Sequence, residues 1–285
     1  MSNEQRQNNE VFSAAQASQT GFRTSNVMKD DFGYEVPTEA VPLPSAGKVY
    51  PPESGLYSQE MIEIKAMTAK EEDILTSRAL IKKGTVITEL IKSCLIDKTV
   101  DVDTMIAGDR NAVMTALRVT GYGSEYNAQV SCPECGESSK QDFSLTDLPI
   151  KRLNISPVAE GANLFEFKLP LTQKTVQFKF LTGKDETEMA TIAERRKKQG
   201  QKTDSLVTSR LVHSIVSIEG ITDRNKIGMF IKNMPARDSL ALRRHIDDNE
   251  PGISMKSWME CPHCDEHSEV NLPLGASFFW PDAER

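Results

Sequence analysis

The 285-residue chain predicts an α+β fold, mainly helical, in which two diverged tandem subdomains, each a hairpin plus helices, are joined by a zinc-ribbon-like site of four cysteines. Three observations carry this expectation. Two C-x-x-C turns, Cys132-Pro133-Glu134-Cys135 and Cys261-Pro262-His263-Cys264, lie 129 positions apart, and the fifth cysteine is Cys94. Each turn presents two thiolates on one side and fills half of a tetrahedral shell, so each needs the other to complete a four-thiolate zinc site. Motifs around them recur in order: Leu43-Pro44 and Leu169-Pro170, then Met67-Thr68-Ala69-Lys70-Glu71-Glu72 and Leu181-Thr182-Gly183-Lys184-Asp185-Glu186, then the knuckles themselves. The offset is 114 at the threonines and 129 at the cysteines, so the copies differ by loop insertions totalling 15 residues. Finally, the apolar period alternates between strand-like and helix-like stretches within each copy.

Residues 1–40 are dominated by Gln, Asn, Ser and Thr, with apolar residues isolated, and read as a flexible polar N-terminal arm. Phe12, Phe22, Phe32 and Tyr34 are its candidate anchors on a partner. The first repeat, 41–150, opens with a turn-rich stretch and the alternating Met61-Ile62-Glu63-Ile64-Lys65, which predict a short hairpin. Thr68-x-x-Glu71 is a capping box and starts a helix expected to run from Ala69 to about Lys82, stopped by Gly84. Val86, Leu90, Ile91, Cys94 and Leu95 give a second amphipathic helix with Cys94 on its inner face, and Arg110 to Val119 a third. Gly121-Tyr122-Gly123 turns the chain into the strand that carries the first knuckle.

The second repeat, 151–285, replays this order. Phe165 to Leu169 and Val176 to Phe180 alternate around a turn at Pro170 to Lys174, a clear hairpin signal. Thr182 and Asp185 open a long charged helix ending near Gly200. A helix with Val207, Leu211 and Ile215 inward follows, then one around Lys226 to Lys232, and one with Pro235 at its first position. His213 and His245 read as surface residues. The terminal Phe278-Phe279-Trp280 is too apolar to be left in water and reads as a docking element.

Composition narrows the function. The chain is 38% hydrophobic and 26% charged, with no apolar run long enough to span a bilayer and no secretory signal. Five cysteines are a poor disulfide framework, and the expectation is a soluble protein of a reducing compartment. A net charge of −7 and a pI near 5.3 oppose phosphate binding, so a nucleic-acid-binding zinc-ribbon protein is the alternative rather than the main reading. The basic run Arg195-Arg196-Lys197-Lys198 reads as a solvated helix C-terminus. No phosphate-cradling glycine loop, Ser/His/Asp set or Cys/His pair points to an enzyme.

The expected zinc ligands are Cys132, Cys135, Cys261 and Cys264, one structural Zn2+ per chain, with no catalytic or cofactor-binding residues. His263 and His267 are competing ligands, because Cys264-x-x-His267 also has knuckle-like spacing. That choice would leave Cys132 and Cys135 without a role. Two separate redox dithiols form another alternative, disfavoured by the prolines inside both turns and the lack of a βαβ context.

The motifs also carry a resemblance. Leu43-Pro44-Ser45-x-Gly47-Lys48-x-Tyr50, Met67-Thr68-x-x-Glu71-Glu72-x-Ile74-Leu75, Gly108-Asp109-Arg110, Leu117-Arg118-x-x-x-Tyr122-Gly123 and Cys132-Pro133-x-Cys135-Gly136 together resemble the T4-type bacteriophage baseplate hub and hub-assembly protein family. The match spans about residues 41 to 150 and, more loosely, the second half. The resemblance implies a structural or assembly protein of a contractile tail, present in the host cytoplasm during assembly and in the virion baseplate. Its partners would be other baseplate, hub and tail proteins, with no nucleic acid, no membrane insertion and no catalytic residues.

Overall fold

A computed structural model describes residues 36–198, 206–274 and 278–279. The strands are β1 (Thr38–Pro42), β2 (Met61–Lys65), β3 (Glu125–Ser131), β4 (Ser138–Ser144), β5 (Ile150–Lys151), β6 (Phe165–Lys168), β7 (Thr175–Phe178), β8 (Ile215–Ile218), β9 (Gly252–Ile253), β10 (Lys256–Glu260) and β11 (His267–Asn271). The helices are α1 (Ala69–Thr76), α2 (Arg78–Lys83), α3 (Val86–Cys94), α4 (Ala107–Tyr122), α5 (Gly183–Lys198), α6 (Leu206–Ser214), α7 (Arg224–Asn233) and α8 (Ala236–Asn249). Among the described residues 39% are helical and 23% lie in strands and bridges, spread over several small sheets. The expected mainly helical fold is therefore corrected to a mixed one. Many short antiparallel pairings, β1 with β2, β3 with β4, β5 with β9, β6 with β7 and β8, and β10 with β11, account for the difference.

The elements follow from local chemistry. At the start of α1, Glu71 accepts the Thr68 N–H at 3.0 Å and the Thr68 hydroxyl at 2.5 Å, while Lys65 closes on it at 2.8 Å. At the start of α5, Asp185 accepts the Thr182 N–H at 2.9 Å and Lys179 at 2.7 Å. The same lysine, threonine and acid thus sit at the same spacing in both places. The recurrence continues at the later helices. Asp109, third residue of α4, accepts the Ser45 N–H at 3.0 Å, the Ser45 hydroxyl at 2.5 Å and the Tyr50 hydroxyl at 2.6 Å. Asp238, third residue of α8, accepts the N–H groups of Leu171 at 2.7 Å and Thr172 at 3.0 Å. Both carboxylates are fully buried and hold down the turn that follows Leu-Pro.

Several local expectations are revised. The helix foreseen over 69–82 breaks at Ser77, whose ψ of 104° is extended, giving α1 and α2. Ile215 does not continue α6 but starts β8, because the β-branched run Ile215-Val216 fits the edge beside β7. Val207 is 43% exposed. Pro235 is the N-cap of α8 rather than its first residue. His245 is half-buried, its ring stacked on Phe167 with centroids 4.4 Å apart, so it is not a surface residue. The polar arm lies outside the described residues as far as position 35; β1 begins inside the stretch read as arm.

The core is continuous across the chain. Gly108 lies so close to β9 that any side chain there would meet the Pro251 carbonyl oxygen at 1.6 Å. The exit from each ribbon crosses to the other part of the chain: the Ser254 N–H donates to the Pro149 carbonyl at 2.9 Å, and the Tyr126 hydroxyl to the Pro273 carbonyl at 2.6 Å. Phe278 and Phe279 are buried, with Phe278 edge-on to Tyr126 at 5.4 Å. They are core rather than an external docking element, because the groove that receives them belongs to this same chain. Trp280 lies outside the described residues.

Candidate metal centre

The four knuckle cysteines are carried by two antiparallel ribbons, β3–β4 and β10–β11. In the first ribbon, Tyr126, Ala128 and Val130 alternate inward; in the second, Met259 and Val270 do. Each ribbon turns at its knuckle in the same way. The Cys132 N–H donates to the Glu137 carbonyl at 2.9 Å and the Gly136 N–H to the Cys132 carbonyl at 3.0 Å; Cys261 and Asp265 repeat these bonds at 3.0 and 2.9 Å. The residue closing each turn is left-handed, Gly136 at φ 77° and Asp265 at φ 55°. Glycine takes that conformation freely, and aspartate is one of the few other residues that tolerate it.

The four sulfurs lie within 4.8 Å of one another. Across the two ribbons, Cys132 Sγ is 3.8 Å from Cys264 Sγ, and Cys135 Sγ is 3.7 Å from Cys261 Sγ. Cys132 and Cys261 are buried at the base of the cluster, and Cys135 and Cys264 form its exposed rim. His263 and His267 are both exposed and stand outside the cluster. The thiols do not ionise alike. Backbone N–H donation from Cys135 favours the Cys132 thiolate and lowers it to about 7. For Cys264 the Glu266 N–H favours the thiolate, but desolvation and the sulfurs of Cys261, Cys135 and Cys132 outweigh it and push the thiol up to about 12. Four sulfurs this close cannot all carry charge unless a cation sits among them.

Cys94, by contrast, is buried on the inner face of α3, as its spacing indicated, and burial followed by the nearby Glu71 carboxylate pushes its thiol up to about 12. It belongs to the core and lies outside the cysteine cluster.

The family described as T4 bacteriophage base plate protein matches residues 38–280. The chain belongs to this family. Its role is accordingly that of a structural protein of a phage baseplate, and membership of the family implies contact with other phage structural proteins. No curated protein and no solved structure is similar enough to be matched to it. Among the described residues no helix is long and apolar enough to cross a membrane.

With the family in place, the motif residues acquire positions. Ser45, Tyr50 and Asp109 form one buried network, and Glu71 and Thr68 the capping box. Tyr122 donates to Glu72 at 2.5 Å. Arg118 is 1% exposed and gives its guanidinium to the carbonyls of Phe278 at 2.8 Å, Gly123 at 2.6 Å and Glu125 at 2.8 Å. Sequence reasoning assigned no role to Asp109 or Arg118. Their mark in the sequence is their place in the Gly108-Asp109-Arg110 and Leu117-Arg118 motifs, which locates them without saying what they touch.

Proposed function

We propose that the chain is a structural or assembly protein of the baseplate hub of a contractile tail, in which one zinc ion, held by Cys132, Cys135, Cys261 and Cys264, staples together two diverged tandem copies of one subdomain. The observation that carries the zinc is the spacing of the sulfurs. Four ligands about 2.3 Å from a tetrahedral ion stand about 3.8 Å apart, and the cross-ribbon sulfur distances are 3.8 and 3.7 Å. All four positions are protein thiolates, which leaves none for water or substrate and suits a structural ion. The duplication rests on contacts as well as motifs: the lysine–threonine–acid cap, the buried aspartate at the third helical position and the knuckle hydrogen bonds each occur twice in the same order.

Such a protein works by presenting surfaces on a rigid frame. The ribbons come from parts of the chain 129 positions apart, so binding the ion fixes their mutual orientation before any neighbour is met. The hub assignment rests on the resemblance of the residue 43–50, 67–75, 108–110 and 117–123 motifs to hub proteins. Its test is mass spectrometry of particles purified during assembly. Stoichiometric presence beside the central hub proteins supports the assignment, and presence confined to peripheral baseplate intermediates overturns it.

A further inference from the structure

The two knuckle ribbons turn alike but differ on their outer faces. Trp258 on β10 stands three residues before Cys261, as Gln129 on β3 stands three residues before Cys132. Each is exposed and lies opposite an exposed residue of the paired strand, Trp258 facing Glu269 and Gln129 facing Lys140. Ribbons with the same knuckle hydrogen bonds are thus made with an amide beside a base in one place and an indole beside an acid in the other. The turn itself therefore does not call for an aromatic side chain there. Trp258 is 69% exposed, more than any other large apolar residue described, and among the described residues no ring or cation stacks on it.

Strand alternation puts Lys256 and Glu260 on the same face of β10 as Trp258, with Asn271 and His267 opposite them on β11. Lys256 is engaged by Glu269 at 3.0 Å. Glu260 is exposed, and its carboxylate makes no ion pair or hydrogen bond among the described residues. It stands two residues, about 7 Å, along the strand from the indole. An aromatic face beside an unengaged carboxylate suits an organic cation. We infer that Trp258 and Glu260 form a docking site for an arginine side chain of a neighbouring baseplate protein, its guanidinium lying on the indole and donating to the Glu260 carboxylate. Arginine fits better than lysine because its planar group can stack and hydrogen-bond at once. Charge complementarity supports a basic segment: between positions 256 and 271 one cation, Lys256, stands against Glu260, Asp265, Glu266 and Glu269, a net of −3 by sequence. The same field repels the phosphates of a nucleic acid. The inference rests on the baseplate role.

The test places a photo-crosslinking amino acid at position 271, on the same face, in the full chain in infected cells, and reads the captured peptide by mass spectrometry. The peptide should come from another baseplate protein and contain arginine. W258Q, which installs the residue of the other ribbon, should lower the yield about tenfold, as loss of an aromatic anchor allows. W258F keeps a ring and should lower it no more than about threefold, and E260Q should lower it about threefold. Zinc content and melting temperature should stay at their unsubstituted values in all three variants, which separates lost docking from lost folding. A fall in either in W258Q would make Trp258 a folding residue and overturn the inference. Crosslinks to DNA or RNA, to peptides without arginine, or with yields indifferent to W258Q would also overturn it while leaving the baseplate role intact. Absence of the unsubstituted chain from particles would remove both.

Discussion

Asp109 has no exposure to water, yet its two oxygens take three hydrogen bonds from Ser45 and Tyr50. Burial nonetheless pushes its carboxyl above the usual range, against the bonds that favour the carboxylate. Replacing it with alanine strands the Ser45 N–H and both hydroxyls, so Asp109→Ala should cost about 3 kcal/mol or more in urea unfolding, and Tyr50→Phe about 1 kcal/mol. The bonds also fix the turn in which Gly47 lies at φ 70° with its Cα facing the Gln59 N–H and Leu56 carbonyl, where a Cβ would come within 2.5 Å. Glu71 is different: burial alone would raise it, but Lys65, Ser93 and Thr68 together hold it down from 4.5 to about 2. A carboxylate lowered in the folded state adds stability that is present above its unfolded pKa and lost as pH falls through the folded one. Stability should therefore decline between pH 4.5 and about 2, and Glu71→Gln should flatten that acid limb in a pH series of urea melts. Cys94→Ala should cost about 1 kcal/mol and leave metal content unchanged; loss of metal would mean that the ligand set is wrong. Glu71 was legible from its spacing to Thr68. Asp109 was not: it and its partners each fall in a quoted motif, but the partners lie 59 and 64 positions away and nothing in the sequence pairs the two motifs.

At the scale of elements, the helices and hairpins with strong periodicity, α3, α4 and β6–β7, follow the sequence closely, because each buries one face on the common core. The departures occur where a tertiary neighbour decides. Ile215 and Val216 satisfy a helix pattern as well as a strand pattern, and the unpaired side of β7 selects the strand. Phe278 and Phe279 look like an exposed hydrophobic tail until the groove beneath β3 and the end of α4 is seen to hold them. Arg118 ties that groove together, linking the end of α4, the start of β3 and the C-terminal segment, with its guanidinium 5.6 Å from the Tyr122 ring centre. Arg118→Met should therefore raise hydrogen exchange together at residues 123–126 and 272–274, and lower stability by about 2 to 4 kcal/mol, since three buried carbonyls lose a charged donor. Exchange that rises in α4 alone would show that the C-terminal segment is held by its aromatic rings without this guanidinium.

The whole molecule is a set of small sheets and helices with one shared core, joined by the cysteine cluster, by β5–β9 and by the C-terminal segment. Four cysteines at the right spacing could be foreseen to meet, because a knuckle cannot complete a tetrahedral shell alone. The cross-docking of the two ribbon exits could not, since it depends on how the ribbons lie relative to each other once they have met. A single shared ion makes the two knuckles interdependent: Cys132→Ser and Cys261→Ser should lower the melting temperature alike, by about 10 °C or more for the loss of several kcal/mol. Native mass spectrometry of the full chain, prepared without chelator, tests the shared centre most directly. We expect one zinc per chain, lost completely in either single cysteine variant. Two ions per chain, no ion, or a zinc retained after Cys261→Ser would contradict a staple shared by the two copies.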